Sequence, residues 1–218
     1  GEAHYRLGPA FIEFERLLRL NDPLVQIATA VIDDVLRQAG IPCVAIMARL
    51  YNGEVMCIAD GSTPGTGFRS SYERGRPMPI TRGATSKIIL ANLPSRQLSQ
   101  LVGPRPETVE LRKELQVIRR AGFVASASEI DPGLTGIAAP VVVAAAGVTA
   151  SLTLVCEENG LDEATRRRLI LLVVSAASLL AEDIRRDAAE PAAATTPAAT
   201  PPIVQSARRN DGKSRTLP

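Results

Sequence analysis

The sequence predicts an α+β fold in which helices pack on an antiparallel sheet. Two pairs of apolar segments are joined by tight-turn signals, which is typical of β-hairpins. Segments with apolar residues at helical spacing are interleaved with these pairs, and the longest stand towards the two ends of the 218-residue chain. Strand pairs that alternate with helices in this way favour an antiparallel sheet with helices packed against it.

Two helices are predicted at the N-terminal end. The first carries apolar residues at helical spacing between residues 11 and 18. The run Asn21-Asp22-Pro23 interrupts it and opens the second helix, because proline is favoured in a first helical turn. The apolar spacing then continues to Val35, and Gly40 is a typical helix end.

The next segment predicts a β-hairpin followed by a long loop. An apolar strand begins at Cys43, and Asn52-Gly53 is the signal of a two-residue turn into a second strand that begins at Val55. Residues 60–79 are rich in Gly, Pro, Ser and Arg, which indicates a loop rather than a strand or a helix. Long loops inside compact domains are often functional.

Residues 76–91 run a loop of small polar residues into an amphipathic helix, where a small anion could bind. Free backbone N–H groups and the helix dipole favour a carboxylate or phosphate at such a point. Ile88, Ile89 and Leu90 supply an apolar anchor behind it. An ordinary capped helix is the alternative. The residues that leave room for a ligand or add hydroxyl donors are Gly83, Ala84, Thr85 and Ser86.

Two further helices, three strands and a final helix complete the predicted domain. Pro94-Ser95 and Pro106-Glu107 each open a helix, and the second ends at Gly122. The final helix begins near Asp162 and is apolar on more than one side, so it could also face a partner subunit. The strands are predicted at residues 123–126, 137–143 and 148–156, the last two joined by a tight turn around residues 145–147.

Composition predicts a soluble protein with a disordered C-terminal tail. No window approaches the apolar length needed to span a bilayer. The net charge of +2 does not indicate a nucleic-acid-binding surface. Residues 188–218 change to Ala, Pro and Thr and then to a basic end, which predicts a disordered tail. That basic end could contact nucleic acid, although a solvated tail is the ordinary interpretation.

The cysteines are predicted to be buried free thiols. Cys43, Cys57 and Cys156 are odd in number, widely separated and flanked by apolar residues, and no CxxC pair occurs. This usage fits a reducing cytoplasm better than secretion. A reactive thiol or a metal site has little support, because the single histidine, His4, lies far from every cysteine in sequence.

The sequence predicts no catalytic residues and no cofactor. It contains no GxSxG, HExxH or GxxxxGK[ST] motif, and no histidine lies within the predicted domain. Glu129 and Asp131 are a possible acid–base pair if their segment continues as a strand. Pro132 makes a turn equally compatible, and carboxylates on a loop rim usually face solvent.

Several segments resemble, in family order, the effector domain of IclR-type transcriptional regulators. Residues 76–94, RPMPITRGATSKIILANLP, are similar to the helix-opening motif of that domain. Gly122-Phe123, followed by Glu129, Gly136 and Pro140, resembles the family pattern GY…E…G…IAaPv. Residues 148–154 are similar to the strand that follows, and residues 4–8, HYRLG, resemble the end of the family's winged helix-turn-helix domain. The resemblance covers roughly residues 5–186.

The resemblance implies a GAF-like (profilin-like) antiparallel sheet flanked by helices. Residues 1–21 would be the end of a DNA-binding wing and a linker helix, residues 22–187 the effector-binding domain, and residues 188–218 the disordered tail. Two ordinary packing helices remain the alternative to a linker helix. The ligand-binding residues that the resemblance implies are Gly83, Ala84, Thr85, Ser86, Ser126, Glu129, Gly136 and Thr153.

The implied function is ligand sensing in a cytoplasmic regulator. A small organic acid, carboxylic or aromatic, would bind to a homodimer or homotetramer, and DNA would be contacted only through a helix-turn-helix domain absent from this chain, with no membrane partner. Some relatives carry Asp or Ser where Ser126 and Val155 stand, so the identity of the effector does not carry over. Arg76 and Arg82 are additional cations that could favour an acid or simply be solvated.

Two other function classes remain open at this stage. The chain could be a free-standing GAF-like sensor that never contacts DNA, or a dimerisation module whose pocket has decayed. A helix-turn-helix encoded upstream of Gly1 would favour the regulator.

Overall fold

A computed structural model describes residues 8–103 and 108–189 and confirms the predicted α+β fold. The described helices are α1 (Ala10–Asn21), α2 (Pro23–Ala39), α3 (Ala84–Asn92), α4 (Ser95–Val102), α5 (Thr108–Ala121) and α6 (Glu163–Ala189). The strands are β1 (Cys43–Tyr51), β2 (Glu54–Ser62), β3 (Pro77–Met78), β4 (Val124–Ala127), β5 (Leu134–Val143) and β6 (Val148–Glu157).

The six strands form one sheet with helices on both faces. Their order is β3-β2-β1-β6-β5-β4, and every neighbouring pair is antiparallel. Helices α2 and α6 pack on one face, whereas α3 and α5 belong to the core on the other. Because side chains alternate along a strand, Leu152 and Leu154 of β6 join the first layer, and Thr153 points to α3. The start of α3, where the sequence predicted a ligand site, therefore lies on the face of the sheet that is covered by α3 and α5.

The predicted helix boundary and hairpin turn are confirmed in detail. The Asp22 carboxylate accepts the backbone N–H groups of Leu24 at 2.9 Å and Val25 at 3.4 Å, which caps α2 where α1 ends. Asn52 (φ 49°) and Gly53 (φ 83°) both adopt the left-handed conformation that a tight hairpin turn requires. The helix after α4 and the three later strands also appear where their patterns placed them.

Two predictions about loops and ends need correction. Residues 60–79 are not one loop, because β2 continues to Ser62 and Pro77–Met78 pairs with β2, where Met78 is buried opposite Val55. The C-terminal helix continues to Ala189, so the first two residues of the predicted tail are helical. Residues 190–218, the HYRL part of the N-terminal motif and Pro106-Glu107 lie outside the described residues.

The sequence predicted that α3 is an amphipathic helix, but the structure shows that this helix is buried on every side. Each residue from Ala84 to Ala91 is buried, including Lys87, which is 8% exposed. The reason is tertiary, since α3 is enclosed by the sheet and by α5. The sequence of a buried helix has an amphipathic pattern when its polar residues bind polar partners inside the protein rather than water.

The thiols are free and buried, as predicted, and none of the described helices is long and apolar enough to cross a membrane. Burial raises the pKa of Cys43 and Cys156 to about 11 and that of Cys57 to about 12. All three thiols therefore stay protonated at neutral pH, which makes them poor nucleophiles. The described residues contain no His, Cys, Asp and Glu cluster that could hold a metal ion.

Candidate functional site

The N-terminus of α3 is capped by one side chain of β4 and one side chain of the loop that follows it. The N–H of Gly83 donates to Glu129 Oε2 at 2.9 Å, and the N–H of Ala84 donates to Ser126 Oγ at 3.0 Å. These are two of the N–H groups that a helix start leaves without an internal partner. A carboxylate therefore does occupy the expected anion position, but it belongs to the protein.

The hydroxyls of the first turn of α3 are paired inside the domain. Thr85 Oγ1 donates to Thr153 Oγ1 at 3.1 Å, and Ser86 Oγ shares a hydrogen bond with the Tyr72 hydroxyl at 3.0 Å. Burial raises the pKa of Tyr72, only partly offset by its bonds to Ser86 and Thr85, so this hydroxyl is neutral and can donate or accept.

All eight residues predicted to form the site are brought together by the fold. Six of them line a single small cavity: Gly83, Ala84, Thr85, Ser126, Glu129 and Gly136. Ser86 and Thr153 stand directly behind it through their bonds to Tyr72 and Thr85. Their separation in sequence is large, because Thr85 and Thr153 are 68 positions apart. The order of the strands explains why these residues lie close together, since β4, β5 and β6 are adjacent and α3 lies across them.

The cavity is nearly filled by protein atoms, which corrects the expectation that Gly83 and Ala84 leave room for a ligand. Its volume is about 30 Å³, whereas pockets that hold drug-sized ligands measure about 300–1,000 Å³. The side chain of Ile130 fills the space above Gly83, where an added Cβ would lie 2.6 Å from Ile130 Cγ1. This contact was not predictable from the sequence, because Ile130 lies 47 positions from Gly83 and the direction of its side chain depends on a turn.

Two loops close over the cavity and are joined to each other. Residues 128–132 carry Glu129, Ile130 and Asp131, and residues 70–72 supply Ser70 and Tyr72. The Asp131 carboxylate accepts the backbone N–H of Ser71 at 2.9 Å and also its hydroxyl. We call residues 128–132 the lid loop. Glu129 and Asp131 bind different partners, so the structure does not arrange them as the acid–base pair that the sequence left open.

A buried lysine that the sequence did not single out neutralises the lid carboxylate. Lys87 Nζ lies 2.8 Å from Glu129 Oε1 and 2.7 Å from Glu114 Oε1 of α5. Burial alone would raise the pKa of Glu129, but hydrogen bonds from Lys87 and Gly83 hold it below its ordinary value of 4.5. Burial would lower the pKa of Lys87, and the two carboxylates raise it above 10.5. The signal available in the sequence was one lysine within an otherwise uncharged helix.

The two additional arginines have different surroundings. Arg82 donates to the backbone carbonyl of Glu129 at 2.6 Å, so it anchors the lid loop from outside. Arg76 is exposed, and its guanidinium has no hydrogen bond or ion pair within the described part of the chain. Of the two, Arg82 is the one built into the site.

Comparisons with known proteins agree with this architecture. The family model described as "Bacterial transcriptional regulator IclR C-terminal" matches residues 20–182. The C-terminal domain of a Vibrio cholerae protein described as a transcriptional regulator is 27% identical, with a TM-score of 0.65 over 74% of this chain and 98% of that one. No curated protein sequence matches this chain significantly.

Two more distant structures share the fold and contain bound ligands. An IclR homologue from Microbacterium hydrocarbonoxydans, in complex with 4-hydroxybenzoate, is 24% identical, with a TM-score of 0.67 over 83% of this chain and 76% of that one. The inducer-binding domain of PobR from Acinetobacter, a double mutant in complex with 3-hydroxybenzoic acid, is 19% identical, with a TM-score of 0.59 over 72% and 96%. Because the family model covers most of the chain, this protein belongs to the IclR family of bacterial transcriptional regulators and contains their C-terminal, effector-binding domain.

Proposed function

We propose that this domain binds a small carboxylic acid, preferably an aromatic one, at the N-terminus of α3, and that binding changes operator recognition by the regulator's DNA-binding domains. The observation that carries this proposal is the carboxylate of Glu129 on the N–H of Gly83 and the ammonium of Lys87. The start of α3 thus stabilises a carboxylate group. The hydroxybenzoates bound by two structural relatives belong to the same chemical class.

The effector's carboxylate would replace that of Glu129. It would find the same partners, namely the Gly83 N–H, the Lys87 ammonium and the positive end of the α3 dipole. The hydroxyls of Ser126 and Tyr72 lie on the same cavity and can meet a hydroxyl or keto group of the ligand. Because one carboxylate is exchanged for another, the charge balance around Lys87 is preserved.

Exchange requires the lid loop to open, since a cavity of about 30 Å³ does not hold an organic acid. Opening moves Ile130 away from Gly83, and the ring of an aromatic ligand would then take over its apolar contacts. The contacts that must loosen are the Glu129 bonds to α3 and the Asp131 bonds to Ser71. The ligand would thus bind the open arrangement of the lid loop more tightly than the closed one. A ligand shifts a conformational equilibrium only through such a difference in affinity.

The same proposal places the domain in a cytoplasmic homodimer or homotetramer. Apolar side chains stand exposed on α1, where Ile12 is 74% exposed, and on α6, where Leu171 is 67% exposed. Exposed apolar surface of this kind is typical of subunit contacts. Residues 1–21 would link the DNA-binding domains to the effector domain of residues 22–187, so a change in subunit arrangement would reach the operator through α1.

A thermal-shift screen of keto, hydroxy and aromatic acids tests the proposal. An acid present at about 100 times its dissociation constant should add about 2.7 kcal/mol to the free energy of unfolding. Ala84→Leu should abolish this gain, because Ala84 is buried against Gly136 and a larger side chain fills the site. Ala121→Leu, at the exposed end of α5, is the matched control and should bind normally. Normal binding by Ala84→Leu would place the site elsewhere.

A second variant tests the exchange of carboxylates directly. Glu129→Gln removes the competing charge but keeps the shape, so acids should bind about tenfold more tightly, whereas their uncharged amide analogues should not gain. Equal gains for acids and amides would contradict the exchange.

The small volume of the cavity also favours a second candidate, a dimerisation module whose pocket has decayed. The same screen separates the two functions. If no acid of the panel raises the melting temperature of either the wild type or Glu129→Gln, the dimerisation module is the function that remains.

A further inference from the structure

A second and larger cavity lies between α1 and the sheet, away from the α3 site. Its volume is about 610 Å³, within the range of pockets that hold small organic ligands. One wall is α1, the back is the start of α2, and the opposite wall is the turn end of the β1–β2 hairpin with the residues just before β3. It shares no lining residue with the α3 site.

The floor of this cavity is apolar. Val25, Met56 and Ile58 line it from α2 and β2, and Leu18 of α1 faces them although 56% of its surface is exposed. An apolar chain or ring placed here would cover Leu18 and the floor together. That burial supplies the favourable contribution expected from the hydrophobic effect.

The polar lining carries one positive charge in excess. Arg19, Arg49 and Arg74 face Glu15 and Asp22. The carboxylate of Asp22 is committed to the N–H groups that open α2, and that of Glu15 to Arg19 and, at 3.6 Å, to Arg74. Arg49 is only partly exposed, and its guanidinium has neither a hydrogen bond nor an ion pair within residues 8–103 and 108–189, although its backbone is paired in β1. A partly buried, unpaired guanidinium favours an anionic partner.

We propose that this cavity is a binding site for an amphipathic monocarboxylate, such as a medium-chain fatty acid. Its head would pair with Arg49 beside Arg74, and its chain would lie over Met56 and Ile58 beneath Leu18. The charge excess and the apolar floor both select this class over a neutral or purely polar ligand.

Occupation would also hold α1 in a defined orientation. The Glu15–Arg74 ion pair already joins α1 to the segment before β3, and such partly exposed pairs contribute little by themselves. A ligand in contact with both α1 and the sheet adds a second connection. Because α1 leads towards the N-terminal end of the chain, the ligand biases how that end is oriented.

Calorimetric titration of the whole chain with decanoate and with decanol tests the site. Decanoate should bind once per chain, and decanol about tenfold more weakly because it lacks the charge. Arg49→Met should remove this difference by weakening decanoate about tenfold, while Arg120→Met, on the exposed end of α5, should change nothing. Leu18→Asp places a carboxylate at the mouth on an exposed position and should also abolish decanoate binding.

Each contrary result overturns the proposal. Equal affinity for decanoate and decanol, or full affinity in Arg49→Met or Leu18→Asp, would show adventitious binding to apolar surface. Loss of decanoate binding in Ala84→Leu would place the ligand at α3 instead. Sedimentation gives a further test: if Leu18→Asp lowers the mass of the assembly, a second copy of the chain covers the cavity and the ligand site is refuted.

Discussion

Substitution of Gly83 by alanine gives the most direct test of how the α3 site is closed. Gly83 has φ 80° and ψ 153°, a backbone conformation that is essentially restricted to glycine. An added Cβ would also lie 2.6 Å from Ile130 Cγ1 and 3.2 Å from the Tyr72 hydroxyl. Gly83→Ala therefore meets both backbone strain and a steric clash with the lid loop.

The two effects have separate magnitudes. Backbone strain of this kind costs about 1–3 kcal/mol, and overpacking of a filled site costs about 1–3 kcal/mol. Together they predict that Gly83→Ala lowers the free energy of unfolding by about 2–6 kcal/mol. Gly65→Ala is the matched control, because Gly65 also has φ 80° but nothing lies within 4 Å of its added Cβ. It should cost only the strain.

Urea unfolding followed by circular dichroism measures these differences, and it suits a chain without tryptophan. In a double-mutant cycle, Ile130→Ala should remove the clash and return about 1–3 kcal/mol to the Gly83→Ala protein. A cost for Gly83→Ala no larger than that for Gly65→Ala, or the absence of coupling to Ile130, would refute the closed arrangement.

Three further predictions concern charge, core and thiols. Glu129→Gln should lower the free energy of unfolding by about 1–3 kcal/mol at neutral pH, whereas Glu110→Gln, 81% exposed, should have little effect. Because the folded pKa of Glu129 is lowered, its contribution is present above its ordinary value of 4.5 and should disappear as the pH falls below it, which urea titrations at several pH values would show. Ile89→Asp should unfold the domain by burying an unpaired charge, and Ile12→Asp, 74% exposed, should not, as circular dichroism would reveal. The pKa of about 12 for Cys57 predicts that a thiol reagent at pH 8 modifies it only after unfolding; rapid reaction of the folded chain would contradict its burial.

Local signals in the sequence were sufficient for most of the fold. Asp22-Pro23 and Asn52-Gly53 specify their own backbone conformations, so the start of α2 and the first hairpin were predictable without knowledge of their surroundings. The two-residue strand Pro77–Met78 was missed, because it exists only through its pairing with Met56 and Val55 of β2. No local pattern encodes a contact of that kind.

The sequence by itself indicated eight of the residues that surround the start of α3, since the motifs that contain them occur in family order along the chain. Only the tertiary structure decided the state of that site. Ile130 fills the space, Glu129 supplies the carboxylate, and Lys87 balances its charge, each through contacts between segments distant in sequence. The physical reason is that composition and spacing specify local conformation, whereas cavity volume and charge pairing depend on which segments the folded sheet brings together.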